Sequence, residues 1–565
     1  MPDLVIGARR SGFPRPWRAG AIALGMLGVA LIVAWFIYRR SVTYDMPGGE
    51  LSGTISVTSG TSPPTLTYGA SSLAWSGGIP VVHLAGDAHA IGAAHGRLLA
   101  PWLAGTVKAA APSISATVSD EGWFGGATHN MRLAWRWRFV DDGLVESDRR
   151  MAAGLTRGAA ASGVDINYDD VLRDQAVIDV GAPSERTGEA DHHTLAQSLT
   201  IVAQQQQAPA RVWIARAFAL PGLDDGGDAE IPVVEIVHPQ GQNAFASVGW
   251  PGQLGVVTGV NAAGIAVFVD PVRTVDVRPT RTARPVTQLA RAVLEQAKTL
   301  DEAIKLIQGT PTLGSAVMVV VDGTSGNWVI VERTPGKAIV ERKPKTRVLG
   351  DLLTTNALAS DPENDRASRT LPTATRIDRA TKLVKAPLPD VAAVAAVLRD
   401  QRGADESPRP PGHRGVIDDG RAIQQVILDP ASLELWVADP TSNGRMRAFD
   451  LRHELRGEGD RPAPPSDLPP DPAQDPDRLA NLAAARAALR EARAFMIGKH
   501  HDHAAEAVAR ALVRVPKLPE ALEVDALVAL AHGDTSHAIA AFAAWLDAGA
   551  DDPHGEERAR ATLAR

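Results

Sequence analysis

Residues 19–38 run apolar with no charge inside, through Ile22, Leu24, Leu27, Val29, Leu31, Ile32, Val33, Trp35, Phe36 and Ile37. A bilayer core of about 30 Å needs about 20 helical residues, so this pattern predicts a membrane-crossing helix. Arg39 and Arg40 follow directly and leave no small-residue cleavage pattern, which predicts a retained signal anchor. Arg9, Arg10, Arg15 and Arg18 precede the span, against two arginines and then Asp45 and Glu50 behind it. That bias predicts a cytoplasmic N-terminus over residues 1–18. The expected location is the cell membrane, single-pass, with the bulk extracytoplasmic, which is periplasmic in a Gram-negative cell. Trp17, Trp35 and Tyr38 sit where interfacial aromatics belong.

Beyond the span, residues 41–80 are rich in Ser, Thr, Gly and Pro and read as a spacer. The region 81–455 begins with helical patterning, including a Trp-rich stretch from Gly122 to Phe139 whose Trp123, Trp135 and Trp137 read as core. Strand-like runs follow at 198–203, 212–215, 233–237, 255–260, 265–269, 316–321, 328–332 and 433–438. Helices are expected at 285–296 and 300–308, giving a layered α+β domain. A Pro- and Asp-rich tract, 456–478, reads as a linker. In the tail, 479–565, Ala504, Val508, Ala511 and Leu512 recur 34 residues on as Ala538, Phe542, Trp545 and Leu546. This period resembles the tetratricopeptide pattern and predicts a helical repeat tail able to bind a protein partner.

Composition narrows the chemistry. The 565 residues include no cysteine, which excludes a thiol nucleophile, thiolate metal sites, iron–sulfur clusters and disulfides. Lys and Arg total 58 against 65 Asp and Glu, a net charge of −7 that gives no whole-protein grip on nucleic acid. The Lys499-His500-His501-Asp502-His503 run has no second ligand cluster in the sequence and reads as a solvated helix–helix turn. No cofactor or metal is expected. There is no Walker loop, no HExxH and no GxSxG elbow, since Ser247 in FASVG has Phe245 in place of the first glycine.

A different series of short blocks does occur in order. It opens with Gly86-Asp87-Ala88-His89-Ala90-Ile91-Gly92-Ala93-Ala94-His95-Gly96-Arg97-Leu98-Leu99, in which Gly92 and Gly96, one helical turn apart, permit close packing and His95 reads as a helix-packing histidine. Ala153-Gly154-Leu155-Thr156-Arg157-Gly158, Ser162-Gly163-Val164-Asp165 and Tyr168-Asp169-Asp170-Val171-Leu172 come next. Then follow Gly252, Thr258-Gly259-Val260-Asn261-Ala262-Ala263-Gly264-Ile265, Leu289-Ala290-Arg291, Thr299-Leu300-Asp301-Glu302-Ala303, Val331-Glu332 and Thr355-Asn356. Together they resemble the acyl-coenzyme A:isopenicillin-N acyltransferase-like family of N-terminal-nucleophile hydrolases. The resemblance implies a four-layer αββα sandwich and a precursor that cuts itself before a cysteine. The freed cysteine would be the nucleophile and its α-amine, of pKa about 7.7 to 8.0, the base, acting on acyl groups or amide bonds.

The chemical centre departs from that pattern. A Gly-Arg-Asn-x-Asp-like block reads Ala215-Arg216-Ala217-Phe218-Ala219, with alanine at both expected polar positions, 217 and 219. Counting back from it puts the nucleophile within residues 194–200, where the hydroxyls are Thr194, Ser198 and Thr200. The family's Thr-Asn-His-like ending reads Thr355-Asn356-Ala357. Asn261 and Asn356 are candidate oxyanion donors or framework residues, and turn chemistry explains Asn261 equally well. Of His192 and His193 at most one can face a site from a strand, and their surroundings read as a solvated loop. The expectation is a catalytically degenerate acyltransferase-like domain acting by ligand or protein binding. The competing expectation is a self-processing Ser or Thr hydrolase or acyltransferase.

Overall fold

The computed structural model describes residues 16–58, 60, 62–103, 105–106, 131, 135, 138–180, 197–205, 211–219, 231–272, 281–342, 348–350, 371–442, 444–457, 459, 463–471, 475, 477–549 and 553–564. Its first element is the helix α1 (Pro16–Val42), whose stretch Ile22–Val42 is long and apolar enough to cross a membrane. Leu24, Ile32 and Phe36 on it are exposed.

Two sheets follow among the described residues. The larger is built from β1 (Ser56–Thr58), β2 (Thr65–Tyr68), β3 (Ser71–Ser76), β4 (Ile79–Gly86), β7 (Val233–Pro239), β8 (Phe245–Gly249), β9 (Thr258–Asn261), β10 (Ile265–Val272), β11 (Ser315–Asp322), β12 (Trp328–Arg333) and β13 (Ala338–Arg342). Its strands lie in the order β1-β2-β3-β4-β7-β8-β9-β10-β11-β12-β13. The smaller is built from β5 (Gln197–Gln204), β6 (Val212–Ala219), β14 (Val348–Gly350), β15 (Gln424–Asp429), β16 (Glu434–Ala438) and β17 (Met446–Asp450), in the order β14-β5-β6-β15-β16-β17. Neighbouring strands are antiparallel except β4 and β7, which are parallel.

Side-chain alternation gives each sheet two apolar faces. The inner faces meet through Val202, Ile214, Val426 and Leu428 of the small sheet and Ile236, Val248, Phe268 and Val319 of the large one. Burying such a side chain contributes about 1.5–3 kcal/mol, so this layer holds the sheets together. The outer face of the large sheet is covered by α2 (Ala88–Leu98), α3 (Glu146–Ala161), α4 (Val286–Gln296) and α5 (Leu300–Gly309). The outer face of the small sheet is covered by α6 (Leu371–Leu383) and α7 (Val391–Leu398). Capping side chains start three of these helices: Asp87 accepts from Ala90 N, Thr299 from Glu302 N and Asp390 from Ala393 N.

The α2–α3 pair is a glycine seam. A Cβ at Gly92 would overlap the Met151 carbonyl oxygen, and one at Gly96 the Leu155 carbonyl oxygen. Gly154 and Gly158 do the same against His89 and Ala93 from the other helix, so both backbones come into contact.

Residues 41–80, expected as a spacer, instead carry β1 to β3 and the start of β4. Val42 and Tyr44 are buried, Arg173 Nη2 donates to the Val42 carbonyl (2.9 Å), and Tyr44 N donates to Asp169 Oδ1 (3.1 Å). Ser and Thr beside Leu66 and Leu73 make half-exposed strands, which composition alone reads as linker. Part of the 456–478 tract is also attached: Leu468 bridges to Met446, and Trp436 Nε1 donates to the Ser466 carbonyl (3.1 Å). The Trp-rich stretch is likewise not all core, since Trp135 is 43% exposed; Trp123 and Trp137 lie outside the described residues.

The tail contains α8 (Arg478–Ile497), α9 (His501–Arg514), α10 (Pro519–His532), α11 (Thr535–Asp547) and α12 (Pro553–Leu563). The start of α9 and the start of α11 are offset by the same 34 residues as the repeat, and Ala504, Val508, Ala511, Ala538, Phe542 and Trp545 are all buried. The tail is seated on the layered region. Arg478 pairs with Asp418, Arg421 with Glu520 (2.8 Å), and Arg486 donates to the carbonyls of Asp419 (2.9 Å) and Gly420 (2.6 Å). Gly412 and Gly420 have positive φ and press against Leu518 and Leu482, leaving no room for a side chain.

Candidate functional site

The hydroxyl candidates lie at the inner face of the small sheet. Thr194 lies outside the described residues, as do Asn356, His192 and His193. Ser198 and Thr200 are on β5, on the same side as the inter-sheet residue Val202. Both are buried, at 1% and 0% exposure. The Thr200 hydroxyl donates to Asp270 Oδ1 on β10 at 2.9 Å. Ser198 Oγ has no hydrogen-bond partner among the described residues.

Directly across the ladder from Thr200 stands Arg216 on β6. Its guanidinium is fully buried and donates to Asp270 Oδ1 (2.7 Å), to Thr258 Oγ1 (3.0 Å) and to the carbonyls of Val257 (2.6 Å) and Val269. Thr258 in turn donates to Gln424 Oε1 (3.1 Å), and Gln424 Nε2 to the Val248 carbonyl (2.9 Å). Phe218 lies under the Arg216 charge at 4.7 Å and stacks on Trp250. Burial pulls Arg216 below its ordinary pKa while the Asp270 charge works against that. Asp270 Oδ2 is buried without a hydrogen-bond partner among the described residues.

The sequence pointed to Thr200 but not to Asp270, Thr258 or Gln424. The available signal was a polar residue on an otherwise apolar inner face: Asp270 shares the β10 face with Ala266 and Phe268, and Gln424 shares the β15 face with Val426 and Leu428. Ala217 lies on the opposite face of β6 from Arg216, so a polar side chain there would point away from this cluster.

Asn261 is elsewhere engaged. Its Nδ2 donates to the carbonyls of Leu294 (2.9 Å) and Ala297 (2.7 Å) at the end of α4, and its Oδ1 accepts from Ala263 N and Ile265 N (3.0 Å each) in the β9–β10 turn. Both amide hydrogens and both acceptor lone pairs are thereby used, leaving no donor for an oxyanion.

A second polar cluster lies on the opposite face of the large sheet. His95 on α2 is fully buried, its Nε2 accepts from Gly252 N (2.9 Å), and its Nδ1 is 3.3 Å from Glu235 Oε1 on β7. Ser247 donates to Glu235 Oε2 at 3.2 Å. Burial, aided by the Arg291 charge, lowers His95 to about 3; burial raises Glu235 to about 7 against the pull of Arg291. At neutral pH the imidazole is therefore neutral, and burial holds the Glu235 proton to well above the usual carboxylate range. Among the described residues no three His, Asp or Glu side chains converge closely enough to hold a metal ion.

Comparisons with known proteins bear on the central region. The chain is similar to an uncharacterized protein of Archaeoglobus fulgidus, 25% identical over 199 residues. That match covers 34% of this chain, which spans about a third (32%) of the relative's length. Among solved structures, the Caenorhabditis elegans N-acylethanolamine-hydrolyzing acid amidase ortholog aligns at 16% identity over 41% of this chain and 93% of its own, with a TM-score of 0.31. A mutant of the conjugated bile acid hydrolase from Clostridium perfringens aligns at 12% identity over 45% of this chain and 92% of its own, with a TM-score of 0.28. Residues 232–408, which include Asn261 and Asp270, match the family described as acyl-coenzyme A:6-aminopenicillanic acid acyl-transferase, so the central region carries a domain similar to that family.

Proposed function

We propose that this is a membrane-anchored, extracytoplasmic protein whose acyltransferase-like domain has lost its reaction and acts by binding. In this reading the two sheets and their outer helices are an αββα N-terminal-nucleophile hydrolase-like sandwich, and the tail is a tetratricopeptide-like array. One observation carries the loss of reaction. The chain has no cysteine, and the described hydroxyls that could replace it, Ser198 and Thr200, are buried within a strand paired on both sides. A nucleophile needs an open approach for its acyl donor, and the cluster around Thr200 is filled by Arg216 and Asp270. The ligand class is an acylated amine, the kind of molecule the family's description points to.

A second reading, self-processing by a Ser or Thr hydroxyl, is favoured by one contact: the Thr200 hydroxyl already donates to the Asp270 carboxylate, as a nucleophile does to its base. Intact-mass measurement of the purified full chain separates the two. The binding reading expects one unbroken chain that is thermally stabilised by acyl amides. Two fragments split within residues 194–200, abolished by Thr194→Ala, Ser198→Ala or Thr200→Ala, would overturn it.

A further inference from the structure

Aromatic residues at the end of α1 do not stand alone. Trp35 stacks on Tyr38 with ring centroids 5.6 Å apart, and Tyr38 stacks on Trp135 at 6.3 Å. The Tyr38 hydroxyl donates to the Met131 carbonyl at 3.1 Å. Met131 and Trp135 both reach the end of α1 through Tyr38, and both are exposed, at 37% and 43%. Trp135 thus joins a column of rings that continues directly from the membrane-crossing segment.

Charge and tether length fit this placement. Arg138 donates to the Trp135 carbonyl (2.6 Å) and lies over both the Trp135 ring (4.3 Å) and the Phe139 ring (4.2 Å). Arg39 directly follows the ring column on α1. Tryptophan and tyrosine collect at the headgroup level, and arginines beside them meet lipid phosphates. The folded domain begins only a few residues past Tyr38, because Val42 and Tyr44 are already held by Arg173 and Asp169. No slack remains to lift the domain away from the bilayer.

We propose that Met131, Trp135 and Phe139 lie in the headgroup layer of the bilayer that α1 crosses, with Met131 and Trp135 touching lipid. This rests on the anchor reading above. The domain is then held at two points, and its orientation to the membrane surface is fixed.

The cysteine-free chain permits a direct test on the full protein in vesicles of phosphatidylcholine and phosphatidylglycerol. Single variants Met131→Cys, Trp135→Cys, Ile32→Cys and Val513→Cys carry a spin label. Collisions are measured with oxygen, which concentrates in lipid, and with a water-soluble nickel chelate. Ile32 is within the span, and Val513, 81% exposed on α9, is the water reference. The expected oxygen-to-nickel ratio at 131 and 135 is several-fold above that at 513. Ratios at 131 and 135 equal to that at 513, with 32 in lipid, overturn this inference and leave the anchor intact. A water-like ratio at 32 overturns the anchor reading and this inference with it. Because labelling at 135 removes a stacked ring, unlabelled protein is read as well: lipids brominated near the headgroup should quench native fluorescence more than that of Trp135→Phe, and equal quenching counts against the proposal.

Discussion

The polar clusters on the two faces of the large sheet are equally buried but solve burial differently. Between the sheets, Arg216 keeps its charge, and Asp270, Thr258 and two backbone carbonyls surround it. Under the helices, His95 is held neutral, and Glu235 carries its proton well above the ordinary carboxyl range. Removing a charge from water costs several kcal/mol, and either an opposite charge with close polar partners or neutralisation offsets it. The cluster that keeps its charge is the one containing the candidate hydroxyls.

The strongest way to break this contrast is Arg216→Met. It leaves Asp270 buried without its cation and should cost about 3–5 kcal/mol in urea unfolding in detergent. Adding Asp270→Leu should recover part of the loss, since an apolar pair replaces a charge left alone. Gly96→Ala comes next. Its methyl meets the Leu155 carbonyl and disturbs the seat of His95, at about 1–3 kcal/mol by the same measurement. Thr200→Val removes one neutral donor to a charged acceptor and should cost about 1.5–3 kcal/mol if Asp270 gains no other partner, and less if it does.

The remaining test reads the neutral cluster through pH. Glu235 is raised from 4.5 to about 7 in the folded state, so its contribution to stability is full below pH 4.5 and is lost as pH rises through about 7. His95 is lowered from 6.5 to about 3, so its contribution is present above pH 6.5 and is lost as pH falls toward 3. Between 4.5 and 6.5 folding moves a proton from one site to the other without changing the number bound, and the pair adds no slope there. Glu235→Gln should therefore gain on the native chain between pH 4.5 and 7 and hold a constant difference beyond, checked by unfolding midpoints across that range. A difference independent of pH would mean that Glu235 is ionised like an ordinary surface carboxylate.

Much of the strand pattern was legible because fully apolar runs such as Ile265–Val269 and Ala316–Val321 are buried on both faces. Strands β2 and β3 were not, because Ser and Thr on their exposed side imitate linker composition. Strand β15 was missed because it opens with Gln424 and Gln425, and Gln424 is one of the buried partners in the candidate cluster. Within the site, the family resemblance, with counting back from Ala215-Arg216, made Thr200 a candidate. Its partner Asp270 is 70 residues away, and only the packing of one sheet on the other brings them together. Asn261 illustrates the reverse: a motif position that looked chemical is fully occupied in closing a turn and capping a helix.

The loop around Gly412 to Arg421, pressed between Leu482 and Leu518, gives the tail a resident occupant. A segment tethered this way acts at an effective concentration of about millimolar. A peptide from another protein that sought the same face would have to outcompete this built-in ligand, so any recruitment there depends first on release of the chain's own loop.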